Sequence, residues 1–188
     1  MRRIFFGLLI VLFSGLASAQ QSIRQVDFKN FTYPLSGPLL GHGELKWLGT
    51  PEDEYSNSKP INLVHGQDGE GFTLQSVTFS DVTGDGQEDA IAVLLYQTGG
   101  TQNTHYVYIY SFADGKPKLL AYCHTGSRGY SGLYGVYGER GALVFELLDQ
   151  NKMEGKCCSS GFVRTRYRWR AGRFEAVGAK EYGEIKEP

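Results

Sequence analysis

Residues 76 to 95 read SVTFSDVTGDGQEDAIAVLL, two apolar strand-like runs closing on an acidic bend. Within the bend, acidic or hydroxyl side chains fall at positions one, three, five and nine: Asp81, Thr83, Asp85 and Asp89. Gly86 stands at position six, where a sharp turn needs a residue free to adopt positive φ. Calcium takes six to eight oxygens drawn from carboxylates, hydroxyls, backbone carbonyls and water. The spacing makes Asp81, Thr83, Asp85 and Asp89 candidate side-chain ligands and the Gln87 carbonyl a candidate backbone ligand. An EF-hand places glutamate at position twelve and helices on both sides. Here position twelve is Ala92 and the flanks read as strands, so the expectation is a strand–loop–strand calcium site. The alternative is a solvated hairpin turn in which Asp81 and Asp85 cap backbone N–H groups.

Outward from the bend, short β-branched and aromatic runs follow one another. They are Leu74 to Phe79, Ala90 to Tyr96, His105 to Phe112, Lys118 to Cys123, Leu133 to Tyr137, Ala142 to Leu148, Phe162 to Arg170 and Arg173 to Val177. Several are joined by glycine-containing turns such as Ala113-Asp114-Gly115, Glu139-Arg140-Gly141 and Ala171-Gly172. This pattern predicts an all-β fold, a single antiparallel meander with a propeller-blade-like strand–calcium loop–strand unit. A helical turn is expected near Gly43 to Leu48. The polar stretch Thr50 to Lys59 reads as an exposed loop. The acidic loop occurs once, which excludes a full propeller of such blades.

Arg2 and Arg3, the apolar run Ile4 to Phe13 and Ala17-Ser18-Ala19 have the form of a cleavable signal peptide over residues 1–19. The apolar run is too short to span a bilayer. The residue after the cut is Gln20, so no lipobox cysteine is present. The expectation is a chain that does not span a membrane, secreted or periplasmic, with residues 20–188 as one β domain. Of the 188 residues, 169 then remain, carrying 17 basic and 20 acidic side chains for a net charge of −3. That balance argues against nucleic acid as a partner.

An oxidising compartment makes Cys123, Cys157 and Cys158 candidate disulfide partners. Neighbours on a strand face opposite ways, so at most one of the adjacent pair readily meets Cys123. Such a bridge closes about 35 residues and stabilises by roughly 4 kcal/mol in the chain-entropy picture. The remaining thiol is buried, paired between chains, or bonded to its neighbour.

Arg164, Arg166, Arg168 and Arg170 alternate with Val163, Thr165, Tyr167 and Trp169, which places the arginines on one face of a strand. That face is a candidate anion or partner surface. The alternative is cross-strand pairing with acids such as Glu146 or Glu175. The run Tyr122 to Tyr137 is dense in tyrosine, glycine and serine, suited to sugars or protein partners, or to a half-buried sheet. No catalytic residue stands out. Thr125 to Gly129 misses the nucleophile-elbow pattern, and His42, His65, His105 and His124 lack zinc spacing.

The acidic loop resembles the FG-GAP/VCBS type of calcium loop, D-x-[DN]-x-D-G-x-x-D. It matches at Asp81, Asp85, Gly86 and Asp89 and departs at Thr83, a change that removes one charge. Residues 76 to 178, with DVTGDGQEDAIAVLL, Cys157-Cys158 and RYRWRAGRFEAVG, also resemble bacterial secreted proteins of the LppP/LprE type. The resemblances imply a calcium ion, an all-β fold and an exported location rather than an activity. The functional expectation is a non-catalytic, calcium-stabilised exported β-domain that binds an envelope or extracellular protein or glycan. The competing readings are a secreted or periplasmic hydrolase of polysaccharide or peptidoglycan, and an inhibitor of a secreted enzyme.

Overall fold

The computed structural model describes residues 22–34, 46–47, 70–101, 103–128, 130–154 and 158–186. The leader 1–19, the Thr50 to Lys59 loop, His42, His65 and Cys157 lie outside them.

The fold is all-β and antiparallel. β1 (Lys46–Trp47), β2 (Glu70–Ser80), β3 (Asp89–Thr98), β4 (Asn103–Ala113) and β5 (Lys116–Ser127) form one sheet, ordered β1-β5-β4-β3-β2. A second sheet contains β6 (Leu133–Gly138), β7 (Leu143–Leu148), β10 (Gly161–Arg170) and β11 (Arg173–Glu184), ordered β11-β10-β7-β6. Between β7 and β10, the chain makes a small ribbon of β8 (Met153–Glu154) and β9 (Cys158–Ser159). The strands β2 to β5, β6 with β7, and β10 with β11 pair as successive hairpins, as the meander reading predicts, but the meander divides into two packed layers. Lys46 and Trp47 pair with His124 and Cys123 of β5, so these two residues of the helical turn expected near Gly43 to Leu48 are strand; the rest of that stretch lies outside the described residues.

Alternation sorts the central strands into two faces. Ile91, Val93, Val107, Ile109 and Cys123 face the second sheet, where they meet Leu143, Phe145 and Phe174 in one buried cluster. Ala90, Ala92, Leu94, Tyr106, Tyr108, Tyr110 and Tyr122 point the other way. β3 and β4 are therefore covered on both sides, which is why AIAVLL and YVYIY are nearly continuous apolar runs.

The tyrosine-rich face is covered by a strap, residues 22–34, built from 3-10 turns at Ile23–Gln25 and Phe28–Asn30. Its own Ile23, Phe28 and Tyr33 are buried against that face. The Tyr33 hydroxyl donates to the Phe28 carbonyl at 2.7 Å, and the Tyr108 hydroxyl to the Pro34 carbonyl at 2.8 Å. Tyr108 and Tyr122 stack with ring centroids 5.2 Å apart. The strap has no apolar period long enough to announce itself in the sequence. Its docking is visible only in three dimensions.

Candidate functional site

The acidic loop joins β2 to β3 at one end of the first sheet. Asp81 turns back on the loop: its Oδ1 accepts from the Gly84 N–H at 2.6 Å and its Oδ2 from the Gly86 N–H at 2.9 Å. The Thr83 hydroxyl lies 3.5 Å from Asp81 Oδ1. Asp85 Oδ1 accepts from the Gln87 N–H at 2.8 Å. Gly84 and Gly86 hold φ of 80° and 86°, the left-handed region where a side chain is strained. The turn on β6–β7 buttresses this bend. A Cβ on Gly138 would overlap the side chain of Ser80, and one on Gly141 would touch the Gly84 backbone at 3.6 Å.

Asp89 differs from the other acids. It is 1% exposed, and its Oδ2 accepts from the Val82 and Thr83 N–H groups at 3.0 and 3.1 Å. Its Oδ1 is buried with no hydrogen-bond partner. Desolvation, reinforced by the nearby charge of Asp85, pushes the carboxyl up to about 6, against the pull of the Val82 and Thr83 N–H donors and the Thr83 hydroxyl. At neutral pH the group is still ionised, so a charged oxygen sits buried and unpaired, an arrangement that stands only with strong compensation. That is the observation by which the loop's donor set fits a cation. Against it, among the described residues no three His, Cys, Asp or Glu side chains converge as a metal-binding group. Much of the lone-pair capacity of Asp81 and Asp85 goes to backbone N–H groups, the capping alternative raised by the sequence.

The neighbouring Glu88 reaches the strap. Arg24 donates through Nε and a terminal nitrogen to the two Glu88 oxygens at 2.5 and 2.7 Å, and its guanidinium lies 4.8 Å from the centre of the Phe79 ring. The side chains of both partners are about half exposed (57% and 45%), so this contact positions more than it stabilises. Nothing in local sequence links positions 24 and 88; only the docking of the strap does.

On the arginine face, Arg164 and Arg166 pair with acids across the strands. Arg164 lies opposite Glu146 and Glu181 in the register and bonds both; its Nε meets Glu146 Oε1 at 2.8 Å. Arg166 bonds Glu181 and Glu139. The Tyr137 hydroxyl also donates to Glu146, at 3.0 Å. These acids come from β7, β11 and a turn, all outside the arginine run itself. Arg168 faces Glu175 and Arg170 faces Arg173 across the hairpin, while Glu175 itself bonds Arg173.

Cys123 is a free thiol, fully buried on the inter-sheet face, and burial pushes it well above the ordinary thiol range. The candidate bridge from Cys123 is therefore not made. Cys158 sits exposed on the peripheral β8–β9 ribbon, whereas the Cys123 side chain is packed between layers. Of the tyrosine-rich run, Tyr122 is core, and Tyr130 and Tyr134 are exposed.

The chain matches no protein-family model, and comparison with curated proteins and with solved structures finds no match either. The resemblances to FG-GAP/VCBS loops and to LppP/LprE-type proteins rest on the quoted residues alone. Among the described residues no helix is long and apolar enough to cross a membrane.

Proposed function

We propose that this chain is an exported, non-catalytic β domain whose acidic loop holds a calcium ion and whose surface binds an envelope or extracellular partner. One observation supports the metal above the others: the buried, partnerless Oδ1 of Asp89 beside the charge of Asp85. Asp81, Thr83, Asp85, Asp89 and the Gln87 carbonyl would hold the ion, and calcium would supply the positive charge that these crowded oxygens lack. A loop with this few carboxylates belongs to the weak extracellular class, with a dissociation constant on the order of 10⁻⁴ to 10⁻³ M. At tenfold excess over that constant, calcium adds roughly 1.4 kcal/mol, or about 4 °C in melting temperature for a chain of this size. The test is a thermal melt in calcium and in chelator, on the parent and on Asp85→Ala. The expected result is a calcium-dependent rise that the substitution abolishes. Superimposable parent curves in calcium and in chelator would refute the metal.

A further inference from the structure

The inner face of β10 runs through Val163, Thr165, Tyr167 and Trp169. At its far end Tyr167 and Trp169 pack on the inter-sheet core. Toward Val163 the same face opens into a groove of about 370 Å³, within the range of small-ligand sites and wide enough for one or two sugar rings. The floor is polar and already organised. Ser131 and Asp149 are 7% and 5% exposed. Gln150 Nε2 donates to Ser131 Oγ at 2.6 Å, and Asp149 Oδ1 accepts from the Asn151 backbone and side-chain nitrogens at 2.9 and 3.2 Å. Side chains locked in this way need little ordering when a ligand arrives.

The wall on β11 is made by an irregularity. Arg164 pairs with Glu181, but Arg166 pairs with Val177, so β11 carries extra residues between them, with Gly178 at φ 75°. Bulges re-aim side chains beside functional sites. This one brings Lys180 to line the groove beside Tyr182, the register partner of Val163. Tyr182 is 66% exposed, a large aromatic surface left in solvent over a polar cavity. Lys180 makes no ion pair among the described residues, and Asp149, the one acid lining the groove, turns Oδ1 onto the Asn151 nitrogens. The groove therefore offers one uncommitted cation, a flat aromatic, and fixed amide and hydroxyl groups. Its aliphatic content is confined to Leu147, Leu148 and Val163, too little for a lipid or another apolar ligand.

We propose that this groove binds an acidic saccharide, a pyranose carrying a carboxylate, with Tyr182 against the ring and Lys180 on the carboxylate. The inference rests on the reading of the domain as a binder and names the chemistry of its partner. The test is titration of the ¹⁵N-labelled protein with a galacturonate trimer, with cellotriose as the uncharged control. Amide shifts around Asn151, Lys180 and Tyr182 are expected to saturate with a dissociation constant on the order of 1 mM. Tyr182→Ala weakens binding about fivefold. Lys180→Gln weakens it about threefold and levels the two sugars. Both side chains are exposed, and an unchanged sugar-free spectrum verifies that each variant folds. No movement of groove amides at ~10 mM trimer, roughly ten times that constant, overturns the assignment, as does equal affinity for cellotriose. Cleavage of the trimer with groove shifts present would keep the groove and overturn only the non-catalytic reading.

Discussion

Asp89, which is buried, and His105, which is half-buried with Nδ1 out of reach of water, are two titratable groups whose effects on stability run in opposite directions. Burial raises the Asp89 carboxyl to about 6 and lowers His105 to about 4, where Nδ1 lacks a partner. The unfolded chain ionises aspartate near 4, so between about pH 4 and 6 the native state holds the extra proton on Asp89 and stability falls as pH rises. For histidine the unfolded chain binds the proton first, below about pH 6.5, so stability falls as pH drops from there to about 4. Each effect is on the order of 3 kcal/mol across its window. In chelator the two partly cancel in the parent protein. Denaturation between pH 4 and 6 is expected to show Asp89→Asn gaining stability with rising pH, relative to the parent, and His105→Phe losing it. Parallel pH profiles for all three proteins would show that neither group is perturbed. Of these residues, sequence spacing picked out Asp89 but gave no hint of its burial. His105 reads as one more scattered histidine, because partnerlessness is a property of surroundings.

At the scale of elements, the β7–β10–β11 face tests what a charged ladder is worth. Glu146 is 7% exposed and accepts from both Arg164 and Tyr137. Glu181 stands at the edge with its side chain about half exposed. Glu146→Ala strips a partly buried guanidinium and a phenol of one acceptor and is expected to cost about 2 kcal/mol in denaturant unfolding. Glu181→Ala is expected to shift the midpoint far less, because water solvates what it abandons. Equal effects would mean that burial does not set the value of these pairs. The alternation of arginine with apolar residues was legible at once and gave β10 its two faces. Which acids answered them was not, since Glu139, Glu146 and Glu181 are brought alongside by hairpin register.

For the whole molecule, the two layers and the strap make three tiers around β3 and β4. Phe28 is 4% exposed and touches Phe31, Phe79 and Tyr110. Phe28→Ala empties that contact and is expected to cost about 3 to 4 kcal/mol. The Cys123 thiol gives an independent readout, since it is sealed between the sheets on the opposite face of the same strands. If strap and sandwich unfold together, Phe28→Ala will speed labelling of Cys123 by a thiol reagent in step with its loss of stability. Labelling unchanged in a destabilised variant would mean that the strap lifts away on its own.

The sequence by itself determined the long strands, their turns and the faces of the central ones, because period-two patterning and turn glycines are local and act within a few residues. It also marked the acidic bend, since all its oxygens come from one short stretch. Only the tertiary structure decided that the meander splits into two sheets, that residues 22–34 lie over the tyrosine face, and that Arg24 meets Glu88. It alone decided that Cys123 is sealed away from Cys158 and that Lys180 and Tyr182 line one groove. Those outcomes depend on which distant surfaces exclude water from one another, and that pairing is set by the packing of the whole chain rather than by the order of neighbours along it.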